Sequence, residues 1–460
     1  MLANRKNMKI KSALISVSDK NKLKDVLKVL NKYKINLISS GGTYKKIRSL
    51  GYNCIEISQY TNFPEILDGR IKTLHPKIHS GILYKRNNSS HKKILKKLNF
   101  KSIDLVITNF YPFKNTIRQT NDHKKIIENI DIGGPTLVRS AAKNYNDVVV
   151  ITKIEQYKEL IQELNIYKGK TSLGFRFKMS REAFAETASY DSAIYNYFNS
   201  ISDITFPEKL IVDSKLFQTL RYGENPHQRA AIYSNEENFK LTKLQGKDLS
   251  YNNYNDIFAC LNIAKTLPKN KGTVIVKHAN PCGVSIEKNH LKSYLSAMNC
   301  DPISAFGGIV ACNFKLDNKT AKEIIKNYYE VVIANGFEKN SLKILSSKKN
   351  LRLIDSTKIS FVDKKVISGI NSYLVQTNDN QIFDKKNFKV VSKIKPTKKI
   401  MEQLIFSMNV CRYVKSNAIV LASNKSTMGI GSGQPSRLDS CQIAINKMNK
   451  FFKEKNNSNR

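Results

Sequence analysis

The chain has 460 residues; at roughly 100–200 residues per domain that length asks for two or three domains and excludes a single small module. With 41% hydrophobic and 25% charged residues it can bury several cores, which excludes wholesale disorder. Lysine and arginine outnumber aspartate and glutamate 77 to 37, a net charge of +40 that invites nucleic acid, acidic lipid or an anionic substrate.

The N-terminus MLANRKNMKIKSALISV is basic but runs straight into an alternating strand without an apolar h-region or cleavage site. It is expected to be uncleaved and the protein cytoplasmic, with Met8 as an alternative start. No apolar run approaches the roughly 20 residues that cross a bilayer, so no membrane association is expected. SALISVS (12–18) reads as a strand, and Lys20 to Asn31 carries Leu23, Val26, Leu27 and Leu30 at helical spacing. INLISSGGT is a strand ending in glycines, followed by a helix-like YKKIRSLG. This β-α-β-α start points to an α/β fold with a parallel sheet. Further strands are expected at 103–109 and 148–152, with helices near 123–130, 154–164 and 180–198, and the unit closes near residue 205. LRYGENPHQ and QGKDLSYNNYND then read as polar, turn-rich segments, before a second α/β region with strands in TVIVKH, GGIVAC, EVVIANG and NAIVLAS. The seven cysteines are scattered and form no CxxC or CxxH pair, which argues against a disulfide framework or a zinc site.

Chemistry concentrates at the expected strand ends. Ser40, Gly41, Gly42 and Thr43 lie between a strand and a helix, where backbone N–H groups and hydroxyls can bind phosphate, although an ordinary glycine-rich turn has the same composition. Ser18 and Lys20 leave the first strand at the equivalent end, which favours phosphate. DGRIKTLHPKIHSG brings Arg70, Lys72, Thr73, His75 and His79 within ten residues. An Arg fork grips anions, and a Lys among cations suits proton transfer. His75 and His79 invite a metal, but Pro76 between them and the lack of an acidic neighbour favour structural roles. Tyr111 in NFYPF, and Asp131 and Lys143 in DIGGPTLVRSAAKN, can hold an anion and move protons, and each also suits a solvated or capping role. In KHANPCG, Lys277 and His278 end a strand before an expected Pro/Gly turn: the imidazole can take a proton and the ammonium can stabilise negative charge. Cys282 is a rival nucleophile, ranked lower because no oxyanion arrangement surrounds it. RYGENPHQ, SAFGG, KSNAI and GSGQPSR add polar groups suited to a phosphate-bearing ligand.

Together these motifs resemble one family, the bifunctional purine biosynthesis enzyme that joins AICAR transformylase to IMP cyclohydrolase. SVSDK, SSGGT, GRIKTLHPKIHSGIL, NFYPF, IDIGG and RSAAKN resemble its cyclohydrolase domain; LRYGENPHQ, KDLSYNNYND, VKHANPCG, DPISAFGGIVA, KSNAI and GSGQPSR resemble its transformylase domain. The resemblance implies a methylglyoxal-synthase-like parallel-sheet domain over residues 1–205 and a cytidine-deaminase-like α/β transformylase region over 206–460. It implies formyl transfer from formyl-tetrahydrofolate, the cosubstrate, to the AICAR amine, then dehydrative closure to IMP. By the same resemblance His278 is the proton acceptor, Lys277 its electrostatic partner and Asn417 the residue that orients the carboxamide, with Arg221, Tyr222, Gly307 and Arg437 on the nucleotide. In the first domain Lys72, Tyr111, Asp131 and Lys143 match the catalytic cluster, and Ser18, Lys20, Ser40, Gly41, Gly42, Thr43, Arg70 and Thr73 the nucleotide loops. A homodimer is implied, no metal is needed for the chemistry, and family members can carry a structural potassium ion.

This sequence departs from the family at Asn335 and Gly336, where EVVIAP is usual, and at Glu186, where His is common. The family also continues beyond GSGQPSR and its helix into further pocket-building segments, so the transformylase domain is expected to be incomplete at its C-terminus. A cyclohydrolase with an inactive or complemented second domain is therefore one alternative, and a nucleotide sensor without turnover is another. A basic nucleic-acid binder is a third. It is disfavoured because the lysines are spread evenly, alongside frequent Asn and Ile, as AT-rich coding produces.

Overall fold

The run SALISV forms strand β1 (Ser12–Val17), buried at five of its six positions, as the interior of a parallel sheet requires. The computed structural model describes residues 7–234, 239–362 and 364–453. The chain divides into two units, Met1–Asp213 and Ser214–Arg460.

In the first unit β1 is followed by α1 (Leu23–Lys32), whose buried face is Leu23, Val26, Leu27 and Leu30, the four positions expected from the spacing. Then come β2 (Asn36–Ser39), α2 (Gly41–Ser49), β3 (Ile55–Glu56), β4 (Leu105–Asn109), α3 (Gly133–Lys143), β5 (Val149–Ile151) and the long α4 (Leu173–Ile201). The sheet order is β3-β2-β1-β4-β5 with every pairing parallel. The order reverses between β1 and β4, so a crevice opens outside the carboxyl ends of those two strands, where open α/β sheets bind ligands. The core beneath it joins Leu14, Ile15, Val106 and Ile107 of the sheet to Leu27, Ile47 and Leu137 of the helices. α4 starts at Leu173, earlier than the apolar pattern suggests, because the Ser172 hydroxyl caps it by accepting from the Phe175 N–H at 3.2 Å.

The second unit is built on a mixed eight-stranded sheet. Its strands are β6 (Thr242–Gln245), β7 (Gly272–Lys277), β8 (Asn280–Ile286), β9 (Ile309–Cys312), β10 (Val331–Ala334), β11 (Arg352–Asp355), β12 (Ile419–Ser423) and β13 (Ser426–Gly431), in the order β6-β11-β10-β9-β7-β8-β13-β12. β9, β10 and β11 are parallel to one another, and the other pairings are antiparallel. α5 (Tyr251–Ala264) packs on β7 and β9 through Ile257, Cys260, Leu261 and Ala264.

Two local expectations are corrected here. Tyr251–Asp256 was expected to be turn and is the start of α5: Ser250 and Asn253 form a reciprocal capping box, so the Asn-rich composition marks a helix start. The turn after Lys277 was expected at Pro281–Gly283, yet both residues lie inside β8, and the two-residue turn is His278–Ala279. Both are left-handed, at φ 52° and 56°, the geometry of a type I′ hairpin. Among the described residues no helix is long and apolar enough to cross a membrane.

The largest fully buried side chain among the described residues is Arg176 on α4, only 2% exposed. Its guanidinium donates to the carbonyls of Tyr145 at 2.9 Å, Thr171 at 2.5 Å and Asn146 at 3.1 Å, tying two segments to α4 and pairing the buried Thr171 carbonyl. Arg176→Met fills the space but leaves those carbonyls unpaired and is expected to lower stability by about 3 kcal/mol. Denaturant unfolding followed by circular dichroism checks this, and a change below about 0.5 kcal/mol, typical of an indifferent surface site, would contradict it.

Candidate functional site

In the first unit the crevice is shaped from its backbone outward. Asn109, the last residue of β4, accepts with Oδ1 from the N–H groups of Ser18 at 2.6 Å and Asp19 at 3.0 Å, and its Nδ2 donates to the Asp19 carbonyl at 3.0 Å. That clamp holds the loop leaving β1 at the switch point. Lys20 curls back to donate to the Ser18 carbonyl at 3.1 Å and lies beside Gly42. Ser40 precedes α2 without capping it through its hydroxyl. Gly41 needs its missing side chain: its φ is +51°, and a Cβ would come 3.0 Å from Lys72 Nζ.

Lys72 Nζ lies over Gly41 and 3.7 Å from Glu65 Oε1, and its charge acts on Asp131. Asp131 Oδ1 accepts from the Gly134 N–H at 2.8 Å. Burial pushes the Asp131 carboxyl above its ordinary range, opposed by the N–H groups of Gly134 and Tyr111 and by Lys72. The Tyr111 phenol is raised too, by burial and by the Asp131 charge. Thr73 is buried and lies against Gly133. Lys20, Gly41, Gly42, Lys72, Thr73, Tyr111 and Asp131 are thus gathered into one polar crevice at the strand ends.

Three residues expected there behave differently. The Thr43 hydroxyl, read as a ligand donor, donates to the Val17 carbonyl at 3.0 Å and accepts from the Val17 N–H at 3.1 Å, so it fastens α2 to β1. Arg70 is exposed and bound to Glu128. Lys143 ends α3, about 15 Å along the axis from Gly133 at the rise of a helix, and α3 runs from the crevice toward the start of β5. His75 Nδ1 accepts from the Lys77 N–H at 3.1 Å, and His79 Nδ1 meets Ser140 Oγ at 3.0 Å. Two contributors escaped the sequence reading. One is Asn109. The other is Tyr190 on α4, whose hydroxyl accepts from the Asp131 N–H at 2.8 Å while its ring packs on Phe110. Asn109 could have been found as a polar residue ending a buried strand; Tyr190 carries no local signal.

In the second unit Lys277 and His278 stand at the β7–β8 tip. Lys277 Nζ donates to the Phe306 carbonyl at 2.8 Å, beside Gly307, whose φ of +72° lets the chain turn under the ammonium. The tip is held from α5: Asp256 accepts from the His278 N–H at 3.1 Å and the Ala279 N–H at 2.7 Å. Left-handed non-glycine residues cost roughly 1 kcal/mol each, so the turn needs such compensation. Asn280 Nδ2 donates to the His278 carbonyl at 3.0 Å, and its Oδ1 accepts from the Lys415 N–H at 3.3 Å, which brings the segment bearing Asn417 to the same tip. Asn417 Nδ2 donates to the carbonyls of Gln434 at 3.0 Å and Pro435 at 2.7 Å, leaving Oδ1 as the atom to meet an N–H of a ligand. Arg221 stacks over Tyr222, and the loop they begin is tied to the start of α5 by Asn252 Nδ2 on the Glu224 carbonyl at 3.3 Å. Arg437 is exposed on the first turn of α6 (Arg437–Met448). Cys282 is buried in β8 and its thiol is pushed up to about 12, which removes the thiolate a nucleophile needs.

The departures at 186 and 335 have local partners. Glu186 pairs with Lys153 at 2.5 Å, and Asn335 donates to the Asn313 carbonyl at 3.0 Å while accepting from Ser356 Oγ at 2.7 Å.

The profile of the AICARFT/IMPCHase bienzyme family matches residues 141–447, and that of the MGS-like domain matches residues 22–136. The bifunctional purine biosynthesis protein PurH of Acetivibrio thermocellus is 45% identical over 450 residues, covering 95% of this chain and 87% of that protein. The PurH protein of Thermoanaerobacter sp. (strain X514) is 45% identical over 443 residues, covering 95% and 86%, and that of Bradyrhizobium diazoefficiens is 43% identical over 451 residues, covering 95% and 84%. Matches of this identity and extent, together with a profile that spans most of the chain, mean that the protein belongs to the AICARFT/IMPCHase bienzyme family.

Proposed function

We propose that the chain carries out both closing steps of purine ring assembly: formyl transfer from formyl-tetrahydrofolate to AICAR, and dehydrative closure of the formylated product to IMP. The observation that carries the reading is the pairing of an anion-binding crevice containing Lys72, Tyr111 and Asp131 in one unit with a Lys277–His278 tip beside Asn417 in the other. The domains divide the work, with residues 1–205 as the cyclohydrolase and 206–460 as the transformylase.

In formyl transfer the AICAR amine attacks the formyl carbon. His278 takes the proton released by the amine, and Lys277, fixed on the Phe306 carbonyl, stabilises the oxyanion until the folate nitrogen leaves and is protonated. Asn417 Oδ1 accepts from the carboxamide N–H and aligns amine and carboxamide on the imidazole ring. Arg221, Tyr222, Gly307 and Arg437 contribute to nucleotide binding. In cyclisation the carboxamide nitrogen attacks the new formyl carbon and water leaves. Lys72 stabilises the developing oxygen charge, while Asp131 and Tyr111 exchange the protons. Ser18, Lys20, Ser40, Gly41 and Gly42 receive the phosphate, with Thr73 beside them. The resemblance supports a cytoplasmic homodimer. The resemblance also implies a structural potassium ion, a hard cation that backbone carbonyl and hydroxyl oxygens would hold.

The test is to assay the full 460-residue chain separately for the two reactions. Lys72→Ala is expected to slow cyclisation by about 100-fold or more and spare transfer, and His278→Ala to do the reverse. Equal loss of both reactions in either variant would sink the two-site assignment.

Asp131 gives a pH prediction. Because burial raises its carboxyl, the carboxylate is protonated at higher pH than an ordinary aspartate as acid is added. The acid limb of cyclisation should therefore lie above the usual carboxylate range. Asp131→Asn should remove that limb along with most of the rate. The ionised form is the one that burial penalises, so this contribution to stability is lost as pH rises through the raised value. Asp131→Asn should accordingly melt no lower than wild type at neutral pH, and a clear drop in melting temperature would overturn that assignment of sign.

A further inference from the structure

We infer that Asp256 is a positioning residue for formyl transfer: its carboxylate fixes the left-handed His278–Ala279 turn and thereby the imidazole that accepts the proton. The inference rests on the role proposed above for His278.

The geometry carries it. In a two-residue hairpin the central N–H groups point away from the ladder and must find acceptors elsewhere. Here both go to the two oxygens of one side chain, Asp256 Oδ2 for His278 and Oδ1 for Ala279. Neither turn residue is glycine, although both have positive φ, so the turn is not one that its own sequence prefers. The His278 imidazole makes no hydrogen bond among the described residues; Asp256 holds the backbone that carries it and also faces it electrostatically. Asp256 is itself aimed by the helix that bears it. The capping box at Ser250 fixes the first turn of α5, and Asn253 Nδ2 anchors that turn on Glu330 Oε2 at 2.6 Å. Each Asp256 oxygen accepts from one N–H of the tip, so the carboxylate acts on the transfer by holding His278 in place.

The experiment compares wild type, His278→Ala, Asp256→Asn, Ala279→Gly and Asp256→Asn/Ala279→Gly in the full chain, with cyclisation as an internal check that each variant is folded. An amide side chain keeps one acceptor and turns an NH2 group toward the other N–H. Asp256→Asn is therefore expected to lower kcat for transfer by about 100-fold, as a misplaced catalytic group does, with KM for both substrates unchanged. Ala279→Gly alone leaves kcat as it was. In the double variant glycine relieves the strain of one turn position, and part of the lost kcat returns. Amide hydrogen exchange across 276–282 should speed up in Asp256→Asn and slow again in the double variant. Wild-type kcat in Asp256→Asn, or a double variant no better than the single one, would overturn the inference while leaving the role of His278 intact. Transfer that survives His278→Ala would overturn the role of His278, and unchanged exchange at the tip would then overturn the hold by Asp256 as well.

Discussion

In each unit a loop of the candidate site leaves its sheet with two consecutive backbone N–H groups turned away from the ladder, and a single side chain takes up both. Asn109 does this for Ser18 and Asp19, and Asp256 does it for His278 and Ala279. Unpaired donors at a strand end would either draw in water or fold the loop over the crevice. Clamping them from the side leaves the mouth open and the loop rigid. The rest of each site depends on that: Lys20 can curl beside Gly42 only from a fixed Ser18–Asp19 loop, and Asn280 can bridge to Lys415 only from a fixed tip.

The same constraint shapes the electrostatics. Asp131 and Asp256 both have carboxyls raised by burial, each opposed by backbone N–H groups. In Asp131 one oxygen holds Gly134 and Lys72 stands close, so its burden accompanies a proton-handling position. In Asp256 both oxygens are spent on the tip, so its burden accompanies geometry. Burial of an ionisable group is thus put to two uses in one chain, and the hydrogen-bond partners tell them apart where the direction of the shift does not.

The sequence makes legible whatever depends on periodicity. The strand, helix, strand and helix at the start of the chain follow from apolar spacing, as does the buried face of α1. Strand ends rich in glycine and hydroxyl groups mark the crevice correctly because ligand sites in parallel sheets lie there. Side-chain bookkeeping is less visible. Thr43 looks like a phosphate donor until its hydroxyl is seen fastened to Val17, and sequence spacing does not show that Lys143 and Gly133 stand at opposite ends of α3. The Asn-rich start of α5 reads as a turn because Asn and Asp favour turns and helix caps alike. Only the reciprocal bonds of Ser250 and Asn253 decide between them, and Asp256, the last residue of KDLSYNNYND, stays hidden with the helix.

That ambiguity also bears on how the hairpin tolerates its sequence. A type I′ turn built on Asn-Gly would be stable unaided and would put no imidazole at the tip. Installing His278 there raises the conformational energy of the turn, and the compensation comes from a helix that begins 27 residues earlier in sequence, at Tyr251. The strain and its relief therefore lie in separate elements. A change in α5 that never touches a ligand is transmitted to the imidazole through two hydrogen bonds, and a change at Ala279 can offset it. Coupling of this kind belongs to the chain's three-dimensional pairing, which explains why the motif KHANPCG marks the reactive residues while the residue that fixes them lies outside it.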